Sequence, residues 1–248
     1  MSIFAPKMAN DYFEFRQFLV RQSRCAMKVG TDGTLLGAWA EMADSDRGDS
    51  PCRILDIGTG TGLMALMMAQ RFPEAQVTAI DIDSEAVAQA ADNVRQSPFA
   101  ARINVLQADV CLFDDPEGFD LIVCNPPFFA DALVCPDEQR ATARHTISLS
   151  YSQLIDAVWR LLKPSGTFSV VVPTDCLSRL ESAARLKGFF LSRRCSVKTT
   201  PKKSPKRQLI EYRKISVSEF VISEDVLETS PGVRSPWYHQ LTKDFYLH

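Results

Sequence analysis

From Arg53 onward, apolar and polar positions alternate in blocks that switch between strand and helix period. Arg53-Ile54-Leu55-Asp56-Ile57 predicts a buried strand, closed by the turn Gly58-Thr59-Gly60-Thr61-Gly62. Leu63 to Phe72 reads as a helix, Gln76 to Ile80 as a strand ending at Asp81, and Ser84 as the cap of a helix over Glu85 to Arg95. Ile103 to Gln107 predicts another strand before Asp109, and the apolar run Phe119 to Cys124 a further one that ends at Asn125-Pro126-Pro127-Phe128. After a long loop, Ser150 opens a helix over Tyr151 to Leu162 that stops at Lys163-Pro164-Ser165-Gly166. A strand over Thr167 to Val172, a helix over Asp175 to Lys187 and a strand over Phe189 to Val197 complete the series. Such alternation predicts an α/β fold with a doubly wound, mostly parallel sheet.

Ahead of this block, Phe13 to Val20 alternates like a half-exposed strand. Thr31 or Asp32 is placed to cap a helix running to Ala40, with Gly30 and Gly33 loosening the backbone before it. A glycine-rich helix start of this kind can hold a carboxylate, or it can simply cap the sheet. Asp44 to Pro51 is polar and breaker-rich and reads as a surface loop. Residues 1–50 are therefore expected to be a short N-terminal extension of strands and a capping helix, part of the same domain as the main unit over 51–248.

Composition narrows the picture only a little. The chain has 248 residues, 46% hydrophobic and 23% charged, enough for one sizeable core. A net charge of -2 leaves any nucleic-acid contact to a local patch. No apolar leader or membrane-length run is present in the sequence, and seven scattered cysteines without a C-x-x-C pair fit reduced thiols, so a cytoplasmic protein with no membrane and no metal site is expected. Cys124, although beside the elbow, reads as core.

Four strand ends carry candidate chemistry. The glycines at 58, 60 and 62 make a turn on which no side chain blocks a ligand. Asp81, about twenty residues on, is placed to accept both hydroxyls of a ribose, and Asp109 to accept from an adenine amino group. Asp56, two residues before the turn, would repel a pyrophosphate but can bind an ammonium group, directly or through water. With glycine spacing G-x-G-x-G rather than G-x-G-x-x-G, this favours S-adenosylmethionine over a nicotinamide dinucleotide. At the elbow, the double proline forces the chain out of the sheet. There Asn125 Oδ1 and the Pro126 carbonyl can accept both hydrogens of an exocyclic NH2, with Phe128 stacked on the ring that bears it. Asn-Pro also simply ends strands. His145 reads as a loop or substrate contact rather than a base, and Phe129 as stacking or plain packing.

The turn Asp56 to Gly62 resembles the cofactor motif of the Rossmann-like, class I S-adenosylmethionine-dependent methyltransferases, and Asn125-Pro126-Pro127-Phe128 resembles the motif of those that methylate exocyclic or amide nitrogens. That resemblance, over Arg53 to Val197, implies a seven-stranded sheet with a reversed final strand, placed at Gln208 to Ser216. Phe13 to Phe18, Ala26 to Ala40 and Leu241 to Leu247 are also similar to the bacterial tRNA1(Val) adenine-N6 methyltransferases, which carries the likeness over nearly the whole chain. It implies methylation of N6 of the adenosine immediately 3′ of the anticodon (position 37) of a valine tRNA, with the Lys28 to Gly33 region near the methionine end of the cofactor. The expected cofactor residues are then Lys28, Thr31, Asp56, Gly58, Thr59, Gly60, Gly62, Asp81, Ile82, Asp109, Val110 and Asn125; the catalytic ones are Asn125, Pro126, Pro127 and Phe128.

The basic stretch Lys198 to Arg207 is held extended by its prolines and is expected to project as a loop. Lys202, Lys203, Lys206 and Arg207 can neutralise RNA phosphates there, or form a solvated hairpin tip. Past Ser218 the charge turns acidic (Glu219, Glu224, Asp225, Glu228), so that tail is not expected to touch RNA, and Ser235 to Tyr246 reads as a short helix docked by aromatics. Enzymes that share the elbow but methylate guanine N2 or a release-factor glutamine are the nearest alternatives; a non-catalytic RNA binder fits an intact motif less well. Monomer or oligomer is left open, and no protein partner is indicated.

Overall fold

The computed structural model of the chain describes residues 11–25, 28–43, 51–126 and 149–247. The first described element is not one strand but a hairpin, β1 (Tyr12–Glu14) and β2 (Leu19–Arg21). The alternating segment folds back on itself because Phe15 and Phe18 are both buried and stack at 4.8 Å, leaving Phe13 on the outside.

Then come α1 (Thr31–Trp39), β3 (Arg53–Ile57), α2 (Leu63–Arg71), β4 (Gln76–Asp81), α3 (Ser84–Arg95), β5 (Ile103–Gln107), β6 (Phe119–Cys124), α4 (Tyr151–Leu161), β7 (Leu162–Pro173), α5 (Leu177–Lys187), β8 (Phe190–Lys198), β9 (Arg207–Arg213), β10 (Val221–Val226), β11 (Glu228–Ser230), β12 (Val233–Arg234) and α6 (Pro236–Thr242). The central sheet runs β10-β8-β9-β7-β6-β3-β4-β5. Only β9 is antiparallel to its neighbours, because the eight-residue link from β8 is too short for a crossover and closes a hairpin instead. The seven strands expected from the resemblance are joined by an eighth, β10, parallel to β8 at the edge. Its first four residues are exposed and two of its six are acidic, so the stretch carries the polarity of a tail.

Helices cover both faces, and the strands show why. On β6, Leu121 and Val123 join the core under α1, α2 and the hairpin, while Ile122 and Cys124 join the core under α4 and α5. Local starts and stops differ in small ways from the sequence reading. Asp83, not Ser84, caps α3 by accepting from Glu85 N. Ser150 caps α4 with a full capping box to Gln153. Gly30 is the N-cap of α1, with no side-chain cap from Thr31 or Asp32. The tetrapeptide Lys163 to Gly166 belongs to β7, which begins as soon as α4 ends. As expected, Ser235 caps α6 and the aromatics Tyr238 and Phe245 anchor the chain's last turn.

α1 is held at its C-terminal end by two arginines. Arg193 donates to the Trp39 carbonyl at 2.7 Å and lies 3.7 Å over the Trp39 ring; Arg71 donates to the Gly37 and Ala40 carbonyls. Cations at that end complement the free carbonyls and the helix dipole. Arg193 in turn meets Glu41 and Glu211. This anchoring aims the N-terminus of α1 at the carboxyl ends of β3 and β6.

The turn after β3 depends on glycine for both its backbone and its packing. Gly62 has φ +81 and a β-carbon there would stand 3.3 Å from the Ala90 Cβ of α3. Gly62→Ala is therefore expected to destabilise the protein by at least ~1–2 kcal/mol from the left-handed backbone alone. Urea denaturation would read this as a lower midpoint, and an unchanged midpoint would mean the turn relaxes without cost.

Candidate active site

Two carboxylates build the glycine turn. Asp56, fully buried, accepts from Thr59 Oγ1 at 2.6 Å and from Ala65 N at 3.1 Å, tying the strand end to the first turn of α2. Asp81 accepts from Gly60 N at 2.9 Å and, through its other oxygen, from Asp83 N at 3.0 Å. Gly58 N and Thr59 N both donate to the Ile80 carbonyl. Thus the turn is bonded to the neighbouring strand before any ligand arrives. Asn93, buried on α3, completes it by donating to the Thr61 and Arg21 carbonyls and accepting from Arg21 N. One amide links turn, helix and hairpin, and nothing in the local sequence pattern singled it out.

A cleft open to solvent lies over this turn, bordered by Lys28, Thr31, Asp32, Gly58, Thr59 and Asn125 among others. Gly58 (φ +69) and Gly60 (φ +55) need glycine for their backbone, and no atom lies within 4 Å of where their β-carbons would be. That is open space left for something else to fill. Gly33 lets α1 come close: a β-carbon there would meet Leu63 Cδ2 at 3.3 Å and Asn125 Nδ2 at 3.8 Å. Asn125 follows directly on β6, and its Oδ1 is buried without a hydrogen-bond partner among the described residues. A buried amide oxygen left unbonded costs about 1–3 kcal/mol, which a donor entering the cleft would recover.

The structure thus brings Lys28, Thr31, Gly58, Thr59, Gly60 and Asn125 to one cleft. Asp81 joins them through Gly60. Ile82, exposed, and Asp109 and Val110, after β5, stand beyond the cleft's border, on the side of Asp81. Asp109 also orders its own turn, accepting from Cys111 N at 2.9 Å. Asp56 departs from the expected ammonium contact: it is wholly buried beneath the turn, where it serves the backbone. Arg207 departs too. Rather than facing solvent with Lys202, Lys203 and Lys206, it borders the cleft and pairs with Asp32 at the start of α1. Burial raises the Asp32 carboxyl above its ordinary range while Arg207 pulls it back. The expectations for Pro127, Phe128, Phe129 and His145 fall outside the described residues. Pro126 is buried.

The donor set fits S-adenosylmethionine. Open space over two positive-φ glycines, a carboxylate at the end of β4 and cations from Lys28 and Arg207 match a nucleoside carrying an amino-acid tail. Among the described residues no group of three His, Cys, Asp or Glu side chains could hold a metal, and no helix is long and apolar enough to cross a membrane.

Comparison with known proteins places this geometry. Residues 42–194 match the model of the methyltransferase small domain. A Bacteroides thetaiotaomicron protein is 47% identical over 97% of this chain and 99% of its own, and a Phocaeicola vulgatus protein 49% identical over 97% and 99%. A Yersinia pestis protein is 40% identical over 98% of this chain and 96% of its own. All three are named tRNA1(Val) (adenine(37)-N6)-methyltransferase. In fold, the chain is similar to a crystal structure from Agrobacterium tumefaciens described as a predicted O-methyltransferase, with TM-score 0.65, 20% identity and coverage of 86% of this chain and 96% of that one.

Burial pushes the Asp56 carboxyl up to about 7, the bonds from Thr59 and Ala65 acting against it and nearby Asp81 with it. A carboxyl raised on folding costs nothing below its unfolded value of about 4, then weakens the fold as pH climbs towards 7. The stability of Asp56→Asn relative to wild type should therefore rise between pH 4 and 8, measured by urea unfolding without cofactor. Parallel curves would mean that Asp56 ionises in the fold as easily as in water.

Proposed function

We infer the reaction from one premise: this chain belongs to the tRNA1(Val) adenine-N6 methyltransferase family. It transfers a methyl group to the exocyclic N6 of adenosine 37, the nucleotide immediately 3′ of the anticodon, in tRNA1(Val). The observation that carries the mechanism is Asn125 at the end of β6, which borders the same cleft as the glycine turn and whose buried Oδ1 has no hydrogen-bond partner among the described residues.

S-adenosylmethionine, when bound, supplies an electrophilic methyl group on a sulfonium. The glycine turn would lie along its adenosine side, Asp81 would accept from the ribose, and Asp109, with Ile82 and Val110, would meet the adenine. Lys28 and Thr31 serve the amino-acid end, with the Asp32–Arg207 pair beside them. Asp56 contributes by holding the turn.

The N6 amino group of adenine is a poor nucleophile because its lone pair is delocalised into the ring. Asn125 Oδ1 accepts one N–H and the Pro126 carbonyl the other, drawing the nitrogen towards tetrahedral geometry with its lone pair free. As methyl transfer places positive charge on that nitrogen, both bonds strengthen, which stabilises the transition state more than the bound substrate. The methylated nitrogen then gives up one proton to water, so no strong base is required. Positioning in line with the methyl supplies much of the rest. The adenosine reaches the cleft unstacked from the anticodon loop, and Phe128 replaces a lost stacking partner. Lys202, Lys203 and Lys206, exposed on the β8–β9 link, neutralise backbone phosphates. Arg207 is better matched to the cleft than to the RNA, given its pairing with Asp32. A cytoplasmic location follows from the tRNA substrate.

Asn125→Ala is expected to lower the rate of methyl transfer by about 10²–10³ or more while S-adenosylmethionine binding persists, read by single-turnover assay and calorimetry. Near-normal turnover would remove the elbow from the mechanism.

A further inference from the structure

Away from the cleft, the N-terminal hairpin and the C-terminal helix close a second pocket. Its border includes Arg16, Arg234, His239, Lys243, Asp244 and Tyr246. Three permanent cations and a histidine face it against one carboxylate. The arrangement is built, not incidental. Arg16 donates Nε to the Tyr246 carbonyl at 2.8 Å, and its backbone N–H donates to Phe245 O at 2.8 Å, so the hairpin turn is locked onto the chain's last described residues. The Arg234 guanidinium lies 4.7 Å from the Tyr246 ring centre and 5.9 Å from that of Tyr238. The Tyr238 and Tyr246 hydroxyls bond each other at 3.0 Å. Aromatic faces thus hold the arginine by cation–π contact while leaving its hydrogen-bonding edge free.

Several arginines elsewhere in the fold are held in ion pairs. Arg53, Arg193, Arg194 and Arg207 each meet a carboxylate. Arg16, Arg234 and Lys243 meet none among the described residues, although they converge on one concavity. A cavity bordered by guanidinium and ammonium donors with a net positive balance takes an anion whose oxygens can accept several N–H bonds at once, and on a tRNA substrate the phosphodiester group is such an anion.

The segment behind the pocket is tied to the start of the basic β8–β9 link. Leu227 N donates to Lys198 O, Glu228 N to Thr199 O, and Ser235 N to Leu227 O, so the segment carrying Arg234 and α6 is hydrogen-bonded to the base of that link. Exposed Lys202, Lys203 and Lys206 therefore stand on the same structural unit as the pocket.

We propose that the Arg16–Arg234–His239–Lys243 pocket is a second RNA-backbone site, binding a phosphate of the substrate tRNA outside the nucleotide that is methylated. This rests on the RNA-methyltransferase reading. The site adds affinity and orientation without reading bases, as phosphate contacts do. It also explains how a chain of net charge -2 engages a polyanion: the cations are gathered locally.

The test uses the full chain and unmodified valine tRNA. Affinity is measured across a salt series for wild type, for Arg234→Gln and for His239→Gln/Lys243→Gln, the second variant leaving the Arg234–Tyr246 packing intact. Loss of one phosphate contact should weaken binding several-fold at low salt and make log affinity against log salt shallower by about one unit. In the methylation assay KM for tRNA should rise with kcat nearly constant, and S-adenosylmethionine binding and the melting temperature of the double variant should match wild type. A wild-type slope in both variants would overturn the pocket while leaving the reaction intact. Wild-type protein that fails to bind any tRNA would overturn the functional reading, and the pocket with it.

Discussion

Two buried or half-buried carboxylates at the ends of adjacent strands hold the rest of the site in place. Asp56 binds Thr59 and the first turn of α2; Asp81 binds Gly60. Three residues in that turn have positive φ, a conformation only glycine takes cheaply, and a turn made of such residues has much freedom to lose on folding. The carboxylates offset that cost by accepting from side-chain and backbone donors that would otherwise be unpaired beneath a ligand. Burial disfavours the charge on Asp56, and the turn's own hydrogen bonds act against that shift. Structure is spent here to leave open space above Gly58 and Gly60.

The opposite wall of the cleft is α1, which is fixed at both ends by arginines. Arg71 and Arg193 occupy its C-terminal carbonyls, and Arg207 pairs with Asp32 in its first turn. Arg193 and Arg207 come from β8 and β9, so the reversed strand does more than complete the sheet. The β8–β9 hairpin connects α1, the cleft and the exposed lysines of the link within a few residues. The position of α1 and the border of the cleft are thereby tied to one supersecondary unit.

Much of this was legible in the chain, for identifiable reasons. β3 and β6 match their apolar runs because strands buried on both faces have few polar positions to blur their limits. The glycine turn, Asp81 and Asn125 were found because their residue types are costly anywhere else. The hairpin at Tyr12 to Arg21 was read as one strand because period-2 alternation does not register a reversal that lacks Gly or Pro. Asp83 and Gly30 took the caps expected of their neighbours, a one-residue shift that spacing cannot resolve. β10 was missed because its charges resemble a solvated tail. The roles of Asn93, and of Arg207 in the cleft rather than on the RNA, depend on which long-range partners the fold supplies. No local pattern carries that information.

Methylation of an adenine amino group in tRNA1(Val) at this cleft is open to direct assay. The most direct measurement incubates the protein and labelled S-adenosylmethionine with tRNA from cells lacking the modification, followed by nucleoside analysis of the isolated valine tRNA. The account predicts label in N6-methyladenosine at the nucleotide 3′ of the anticodon. Label in N2-methylguanosine, in a protein glutamine, or in no acceptor at all would contradict it.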